Sequence, residues 1–214
     1  YPNNPTGASA DAAFYDQAIA LAKEHDLIVV SDAAYSEVTW LDKPHPSILE
    51  RPGAKDVAIE FHSLSKTYNM TGWRLGWAAG NANAIKGLGL VKSNVDSGVF
   101  QAVQRAGMAA LEGPQDCVKD MGRLYQERRN ILIEGLNKAG ITVHKTDYTF
   151  YVWANVPKGL TSAEFASKLL NGVGIVATPG NGFGPSGEGY ARFALVQEVP
   201  RLKEAAERLA SLKF

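Results

Sequence analysis

An unbroken apolar run that ends in two polar residues restricts the fold of this chain more than any other feature. Residues 27–30 are all aliphatic, and Ser31 and Asp32 follow them directly. Runs without polar alternation are typical of strands that are buried on both faces of a parallel sheet. The sequence therefore predicts a buried strand here, with Asp32 at its carboxyl end.

Further elements surround this strand. Ser9 to Asp11 can cap a helix over roughly 11–24, where apolar residues recur at helical spacing. Residues 57–61 and 75–79 are predicted as two more strands. Helices that alternate with strands indicate an α/β fold with a mostly parallel sheet flanked by helices, and such sheets bind ligands at the carboxyl ends of their strands.

The second half of the chain has a different pattern. A long amphipathic helix is predicted over 115–139, and Gly140 ends it. Short elements follow: strands at 149–154, 175–177 and 190–196, and helices at 162–171 and around Leu202 and Leu209. These elements predict a smaller α+β domain. We therefore assign residues 1–117 to one domain and 118–214 to a second.

The composition excludes several classes of function. Twenty-two lysines and arginines balance 22 aspartates and glutamates, so the chain lacks the positive field of a nucleic-acid-binding protein. No apolar run approaches the roughly 18–20 residues that span a membrane. The single cysteine, Cys117, and the four histidines show no zinc-site spacing. We expect a cytoplasmic protein with no nucleic-acid, membrane or metal partner.

Residues 182–187 match the spacing of a dinucleotide-binding glycine motif but not its structural context. A strand pattern follows them instead of a helix, and Pro185 falls inside the turn that would have to hold phosphate. The sequence therefore predicts no nicotinamide or flavin site at this segment.

Hydroxyl and basic residues gather just beyond the strand predicted at 57–61. Ser63, Ser65 and Lys66 are soon followed by Arg74. Charged residues seldom lie at the end of a buried strand without a partner, and a guanidinium fork beside hydroxyl groups is what a phosphate site requires. We interpret this cluster as a functional site that binds phosphate.

A second arginine lies near the end of the chain. Strand alternation places Tyr190, Arg192 and Ala194 on one face of a strand. The pattern alone leaves two interpretations open for Arg192, a binding role and an exposed ion pair.

These residues, together with the turn Asn4-Pro5-Thr6-Gly7 and with Asp32 and Tyr35, resemble the motifs of the fold-type I pyridoxal-phosphate aminotransferases of class I/II. The motifs occur in the family's order, and the resemblance covers the whole chain. It implies that residues 1–117 are the C-terminal part of the large, cofactor-binding domain and that residues 118–214 are the small domain.

The resemblance also implies a role for each matching residue. Lys66 would form the Schiff base with pyridoxal phosphate, and Asp32 would pair with the pyridinium nitrogen. The other residues would bind the cofactor or the substrate: Asn4 and Tyr35 the phenolic oxygen of the ring, and Ser63 and Arg74 the phosphate. Asn4 and Arg192 would bind the substrate, with Arg192 holding its α-carboxylate.

Two segments, 96–104 and 178–190, look most like those of bacterial LL-diaminopimelate aminotransferases. That resemblance implies transfer of an amino group between small molecules, an amino acid and a 2-oxo acid: LL-2,6-diaminopimelate is made from tetrahydrodipicolinate with glutamate as donor, in lysine biosynthesis. Other interpretations stay open: an alanine or aspartate aminotransferase, a C–S lyase of the same fold, or a non-enzymatic effector-binding domain of a transcription regulator.

The chain begins at Tyr1, inside a turn-rich run. The family's phosphate loop and ring-stacking aromatic residue precede this point, so we expect the chain to be part of a longer polypeptide. The resemblance implies a homodimer with active sites at the subunit interface. Alone, the 214-residue chain is expected to expose a sheet edge, to bind cofactor weakly and to aggregate.

Overall fold

The computed structural model describes residues 1–212 and divides into two compact units. The first contains Tyr1–Pro2 and Ser9–Asp120, and the second contains Asn3–Ala8 and the chain from Met121 onward. The short turn Asn3–Ala8 thus belongs to the second unit, although it interrupts the first in sequence. Within the described residues, no helix combines the length and the apolar character needed to cross a membrane.

The first unit is built on a three-stranded sheet. Its elements are α1 (Ala12–Glu24), β1 (Val29–Asp32), α2 (Ala54–Val57), β2 (Ala58–Ser63), α3 (Leu64–Thr67), β3 (Gly76–Gly80), α4 (Ala82–Val95) and α5 (Gln101–Glu112). The strand order is β1-β2-β3, with β1 parallel and β3 antiparallel to β2. The helix predicted over 11–24 and the strands predicted at 57–61 and 75–79 are confirmed, with slightly shifted ends.

The prediction that residues 27–30 are buried on both faces of a sheet is wrong. Val29 packs against the core that Tyr15 and Ile19 of α1 help to form, but Val30 is 66% exposed. A strand is buried on both faces only where helices cover both faces of its sheet. In the described part of the chain, β1 pairs with β2 alone and forms an edge of its sheet.

The second unit is an α+β structure around a small antiparallel sheet. Its elements are α6 (Asp116–Lys138, which begins in the first unit), β4 (Tyr151–Asn155), α7 (Ser162–Val173), β5 (Thr178–Pro179), β6 (Tyr190–Ala194) and α8 (Val199–Ser211). The strand order is β4-β6-β5. Residues 182–187 form 3₁₀ turns and lead into β6, so a strand follows this segment, as its sequence predicts.

The strand predicted at 175–177 is wrong. Gly174 ends α7 in the left-handed region, at φ +65°, and the backbone N–H of Ile175 donates back to the carbonyl of Leu169. This pattern of bonds reverses the chain at the end of a helix. Residues 175–177 therefore complete the helix end and the return of the chain, and strand pairing begins only at Thr178.

Helices α6 and α8 approach each other closely at Gly135. A Cβ atom at this position would lie 2.6 Å from the Cα of Ala206 in α8. Backbone cannot yield as a flexible side chain can, so we expect Gly135→Ala to lower the free energy of unfolding by about 1–3 kcal/mol.

Urea or thermal unfolding measures this effect, with Gly172→Ala as a matched control. Gly172 is also helical, in α7, but its Cβ would meet only the Leu212 side chain, at 3.8 Å. The control should be neutral or stabilise the protein by about 0.5–1 kcal/mol, because alanine favours a helix over glycine. Equal losses at the two positions would contradict the packing argument.

Candidate active site

Two parallel strands of the first unit place predicted site residues at one edge of the sheet. Asp32 is the last residue of β1, and Ser63 is the last residue of β2. The register sets Asp32 opposite Phe61, two residues before Ser63. The Asp32 carboxylate accepts a 3.3 Å hydrogen bond from the backbone N–H of Ala34, so the turn after β1 restrains it at this edge.

Lys66 lies in the short helix α3, which starts directly after β2. The Ser63 side chain caps this helix by accepting a hydrogen bond from the backbone N–H of Ser65, at 3.3 Å. The Nζ atom of Lys66 lies over the ring of Tyr35, 5.8 Å from its centroid, and Tyr35 is buried. The first unit thus brings Lys66 and Tyr35 together at the sheet edge that carries Asp32.

Arg74 is linked to α3 through Thr71. It donates from Nη1 to the Thr71 carbonyl at 3.0 Å, and the Thr71 hydroxyl donates to the Ser65 carbonyl at 3.1 Å. Arg74 has a left-handed backbone, with φ +53°, and it is exposed. These bonds tie the arginine of the predicted phosphate cluster to the helix of Lys66.

Sequence reasoning missed a buried carboxylate beneath this edge. Glu60, in β2, is only 1% exposed. One of its oxygens accepts from Ser47 Oγ at 2.7 Å and contacts His62 Nε2 at 2.8 Å. The other accepts from Ser31 Oγ and from the backbone N–H of Ile48, both at 3.2 Å. A charged residue in the middle of an apolar strand was the signal that could have revealed it.

The hydrogen bonds decide the charge of Glu60. Burial favours the neutral acid, but hydrogen bonds from His62 and Ser47 outweigh it and hold the pKa of Glu60 below its usual value. The His62 ring also stacks on Trp77, with ring centroids 4.0 Å apart. Glu60 therefore stays ionised and fixes Ser31 and His62, the neighbours of Asp32 and Ser63 in sequence.

The second unit brings Asn4 and Arg192 together. Arg192 donates from Nη1 to Asn4 Oδ1 at 2.8 Å and from Nη2 to Thr178 Oγ1 at 3.4 Å. Its guanidinium carbon lies 4.2 Å from the ring centroid of Tyr151 and 4.8 Å from that of Phe183. Both of these hydrogen-bond acceptors are neutral, so these contacts do not form the exposed ion pair that the sequence pattern left open.

The strand alternation predicted around Arg192 is confirmed. Ala191 and Phe193 are buried, whereas Tyr190 and Arg192 are partly exposed on the other face of β6 and Ala194 is exposed. Sequence reasoning missed the aromatic partners of Arg192, since Tyr151 and Phe183 come from separate segments that only the fold brings to this face.

The turn that carries Asn4 is fixed by Gly7 and Thr146. The Gly7 carbonyl accepts a hydrogen bond from the buried Thr146 hydroxyl at 2.9 Å. Gly7 has φ +69°, and a Cβ at this position would lie 2.3 Å from Thr146 Oγ1. The Asn-Pro-Thr-Gly turn therefore needs glycine at its last position both for backbone conformation and for space.

The comparison of sequences decides the family. The family model for aminotransferase class I and II matches residues 1–209. The chain belongs to this family. An LL-diaminopimelate aminotransferase from Moorella thermoacetica is 56% identical over 98% of the chain and 54% of its own length. The chain spans about half the length of the curated aminotransferases that it matches.

Solved structures agree with this assignment to the aminotransferases. Substrate-bound BacF from Bacillus subtilis shares 40% sequence identity and a TM-score of 0.92, over 98% of this chain and 54% of that one. A probable N-succinyldiaminopimelate aminotransferase from Thermus thermophilus shares 39% identity and a TM-score of 0.91, over 98% and 56%. The α/β fold is therefore that of the matching part of a fold-type I aminotransferase.

Within the residues described, no group of three or more His, Cys, Asp or Glu side chains is arranged to hold a metal ion.

Proposed function

We propose that the protein catalyses transamination between an amino acid and a 2-oxo acid, with pyridoxal phosphate as its cofactor. The observation that carries this proposal is the grouping of Lys66, Tyr35 and Asp32 at one sheet edge in a chain of the aminotransferase family. An amine, a phenol and a carboxylate are the groups that such a cofactor needs around its aldehyde, its phenolic oxygen and its ring nitrogen.

The donors of the first unit fit the cofactor in chemical type. Ser63 and Arg74 would hold the phosphate, since a hydroxyl and a guanidinium suit its oxygens. Asp32 would accept a hydrogen bond from the protonated ring nitrogen, and Tyr35 would donate to the phenolic oxygen. In the second unit, the side-chain oxygen Oδ1 of Asn4 accepts from Arg192. The side-chain amide group of Asn4 would donate to the same phenolic oxygen.

The chemistry that pyridoxal phosphate supplies when bound is an electron sink for the negative charge left after loss of the α-proton. Asp32 keeps the ring nitrogen protonated, which maintains that sink. The Lys66 amine would attach the cofactor and would take up and return the α-proton of the substrate as a general base and acid. Arg192 binds the substrate carboxylate through its planar fork.

We further propose that the substrates belong to lysine biosynthesis. The support is the 56% identity to curated LL-diaminopimelate aminotransferases of several organisms. On this proposal the amino group passes between glutamate and LL-2,6-diaminopimelate, with 2-oxoglutarate and tetrahydrodipicolinate as the oxo partners. The similarity to a probable N-succinyldiaminopimelate aminotransferase keeps an acylated diaminopimelate as a competing substrate.

The proposal also includes the domain organisation, the cellular location and the oligomeric state of the protein. We assign residues 1–117 to the C-terminal part of the large domain and 118–214 to the small domain. We also assign the protein to the cytoplasm as a homodimer whose active sites lie at the subunit interface. All of these follow from the family's pattern, and a sedimentation measurement on the full-length protein tests the dimer.

Single-turnover half-reactions test the function. The full-length protein, loaded with pyridoxal phosphate, is mixed with LL-diaminopimelate, N-succinyl-LL-diaminopimelate, glutamate, alanine or aspartate, and the cofactor's absorbance is followed. We expect LL-diaminopimelate and glutamate to react, and turnover to stop after one cycle unless a 2-oxo acid is added.

The possible outcomes separate the alternatives. Continued turnover without a 2-oxo acid would identify a C–S lyase instead. A preference for the acylated substrate, alanine or aspartate would overturn the substrate assignment but leave transamination intact. No reaction with any amino acid would overturn the proposal and favour a non-catalytic effector-binding domain.

A further inference from the structure

We infer that Phe183, together with Tyr151, is a positioning residue that orients the Arg192 guanidinium toward a substrate carboxylate. The inference deepens the proposed function and rests on the binding role of Arg192 in it. It concerns residues of the second unit alone, and no comparison assigns a role to either aromatic residue.

The contacts of Arg192 restrain its guanidinium without neutralising it. Its carbon lies over two aromatic rings, at 4.2 Å from Tyr151 and 4.8 Å from Phe183. The faces of such rings attract a cation without carrying a full negative charge. Because Asn4 and Thr178 are also neutral acceptors, the full positive charge of Arg192 remains available to an incoming anion.

The hydrogen bonds of Arg192 restrict how a carboxylate can reach it. A guanidinium has five N–H donors. The Nε donor of Arg192 is buried and has no acceptor among the residues that the structure describes, so it is closed to a ligand in this arrangement. Nη1 and Nη2 each give one hydrogen bond, and each carries a second N–H. One donor on each of these two nitrogens can thus serve one oxygen of a carboxylate.

Phe183 lies in a loop whose backbone is closely packed at Gly180 and Gly187. Gly180 and Gly187 cross at close range: a Cβ on Gly180 would lie 1.9 Å from the Gly187 carbonyl oxygen, and one on Gly187 would lie 2.0 Å from the Gly180 oxygen. The Phe183 ring also packs edge-on against Trp153, with centroids 5.8 Å apart. The Phe183 ring therefore contacts both Trp153 and Arg192 from a tightly packed loop.

Glu188 anchors the end of this loop to the start of α7. Its carboxylate accepts from the Ser162 backbone N–H at 2.7 Å and from the Ser162 hydroxyl at 2.8 Å. Ser162 Oγ in turn accepts from the backbone N–H of Asn181 at 3.4 Å. These bonds from Ser162 hold the pKa of Glu188 below its usual value. The loop that carries Phe183 is thus fixed at both ends.

Substitution of Phe183 in the full-length, cofactor-loaded protein tests the inference. We expect Phe183→Leu to raise KM for the amino donor, and the inhibition constant of glutarate, by about 3- to 30-fold, the effect of losing one cation–π contact. The value of kcat should change far less. Phe183→Tyr keeps the ring and should restore both constants. Ser186→Ala, in the same loop, is the control and should leave them unchanged.

A second measurement does not depend on turnover. In the NMR spectrum, the side-chain signals of Arg192 in the unsubstituted protein should be shifted upfield by the ring currents of Tyr151 and Phe183. Phe183→Leu should reduce that shift, and Phe183→Tyr should keep it. An Arg192 signal without any ring-current shift would overturn the inference even if a variant failed to fold.

Arg192→Lys distinguishes failure of this inference from failure of the proposed function. If Arg192→Lys weakens glutarate binding and Phe183→Leu does not, Arg192 binds carboxylate but Phe183 has no positioning role. If Arg192→Lys changes neither KM nor glutarate binding, the proposed role of Arg192 fails, and the inference fails with it. If the protein is a transaminase and both Arg192→Lys and Phe183→Leu weaken glutarate binding, the result supports the proposed function and this inference.

Discussion

Replacement of Lys66 by alanine is expected to abolish covalent attachment of pyridoxal phosphate and to slow transamination by at least about 10²–10⁴-fold, the usual contribution of a general acid or base. The physical reason is that Lys66 is the amine of the proposed site, held in α3, directly after β2, over the Tyr35 ring. Alanine can neither attach the cofactor nor carry the α-proton, whereas the fold around α3 should persist.

Borohydride trapping measures the attachment. The protein is incubated with pyridoxal phosphate, reduced and digested, and mass spectrometry locates the pyridoxyl group. We expect it on the Lys66 peptide, to be lost in Lys66→Ala and kept in Lys86→Ala, which removes an exposed lysine of α4. A label on another lysine, or none in the full-length protein, would overturn the assigned role of Lys66.

The 214-residue chain provides an informative comparison. A label that appears in the full-length protein but not in this chain would show that residues upstream of Tyr1 complete the site. A label in both would show that the contacts of the first unit suffice to direct the cofactor to Lys66.

The second large effect is expected at Glu60. Glu60→Ala removes the acceptor of four hydrogen bonds in the interior, which leaves Ser31, Ser47, His62 and the Ile48 N–H without this partner. Loss of one member of a buried charged network typically lowers the free energy of unfolding by about 3–5 kcal/mol. Denaturant unfolding of the full-length protein measures it.

An exposed carboxylate gives the control. Glu134 pairs with Lys138 at 2.7 Å on the surface of α6, and loss of an exposed pair changes stability by only about 0.3–0.5 kcal/mol. A Glu60→Ala variant no less stable than Glu134→Ala would show that the buried network contributes little to the fold.

The Glu60 network also makes stability depend on pH. Its pKa is lowered in the folded protein, relative to an ordinary value of 4.5. The unfolded chain then binds a proton before the folded one does, so the stabilisation is complete above pH 4.5 and is lost as the pH falls through the folded-state pKa. The Glu60→Gln variant should lose this part of the acid dependence.

Much of the fold was predictable because local patterns and tertiary structure agree. Alternation in β6 matches the predicted face of Arg192, and the amphipathic helix predicted over 115–139 corresponds to α6, in which Leu132 and Leu136 are buried. The apolar run before Asp32 misled because apolar composition reports the need for burial but not which face is covered. Val30 belongs to this run, and yet its side chain is exposed.

The candidate site was predictable only in part. Short motifs predicted Asn4 and Lys66 as site residues, whereas the pattern around Arg192 alone left two interpretations open. Glu60 and Phe183 were not found, because their contacts join separate elements of the fold. A carboxylate in a strand and an aromatic residue in a glycine-rich loop gain meaning only when the fold shows what they contact.

The turn Asn3–Ala8 makes the two units inseparable by a single cut. The chain changes units after Pro2, after Ala8 and again within α6, after Asp120. Cleavage at Asp120 would leave the later piece without Asn4, the acceptor for Arg192, and without Gly7, the acceptor for Thr146. The second unit is therefore discontinuous in sequence, and a recombined segment that begins after Asp120 would carry Arg192 without Asn4, whose codon lies more than a hundred codons upstream.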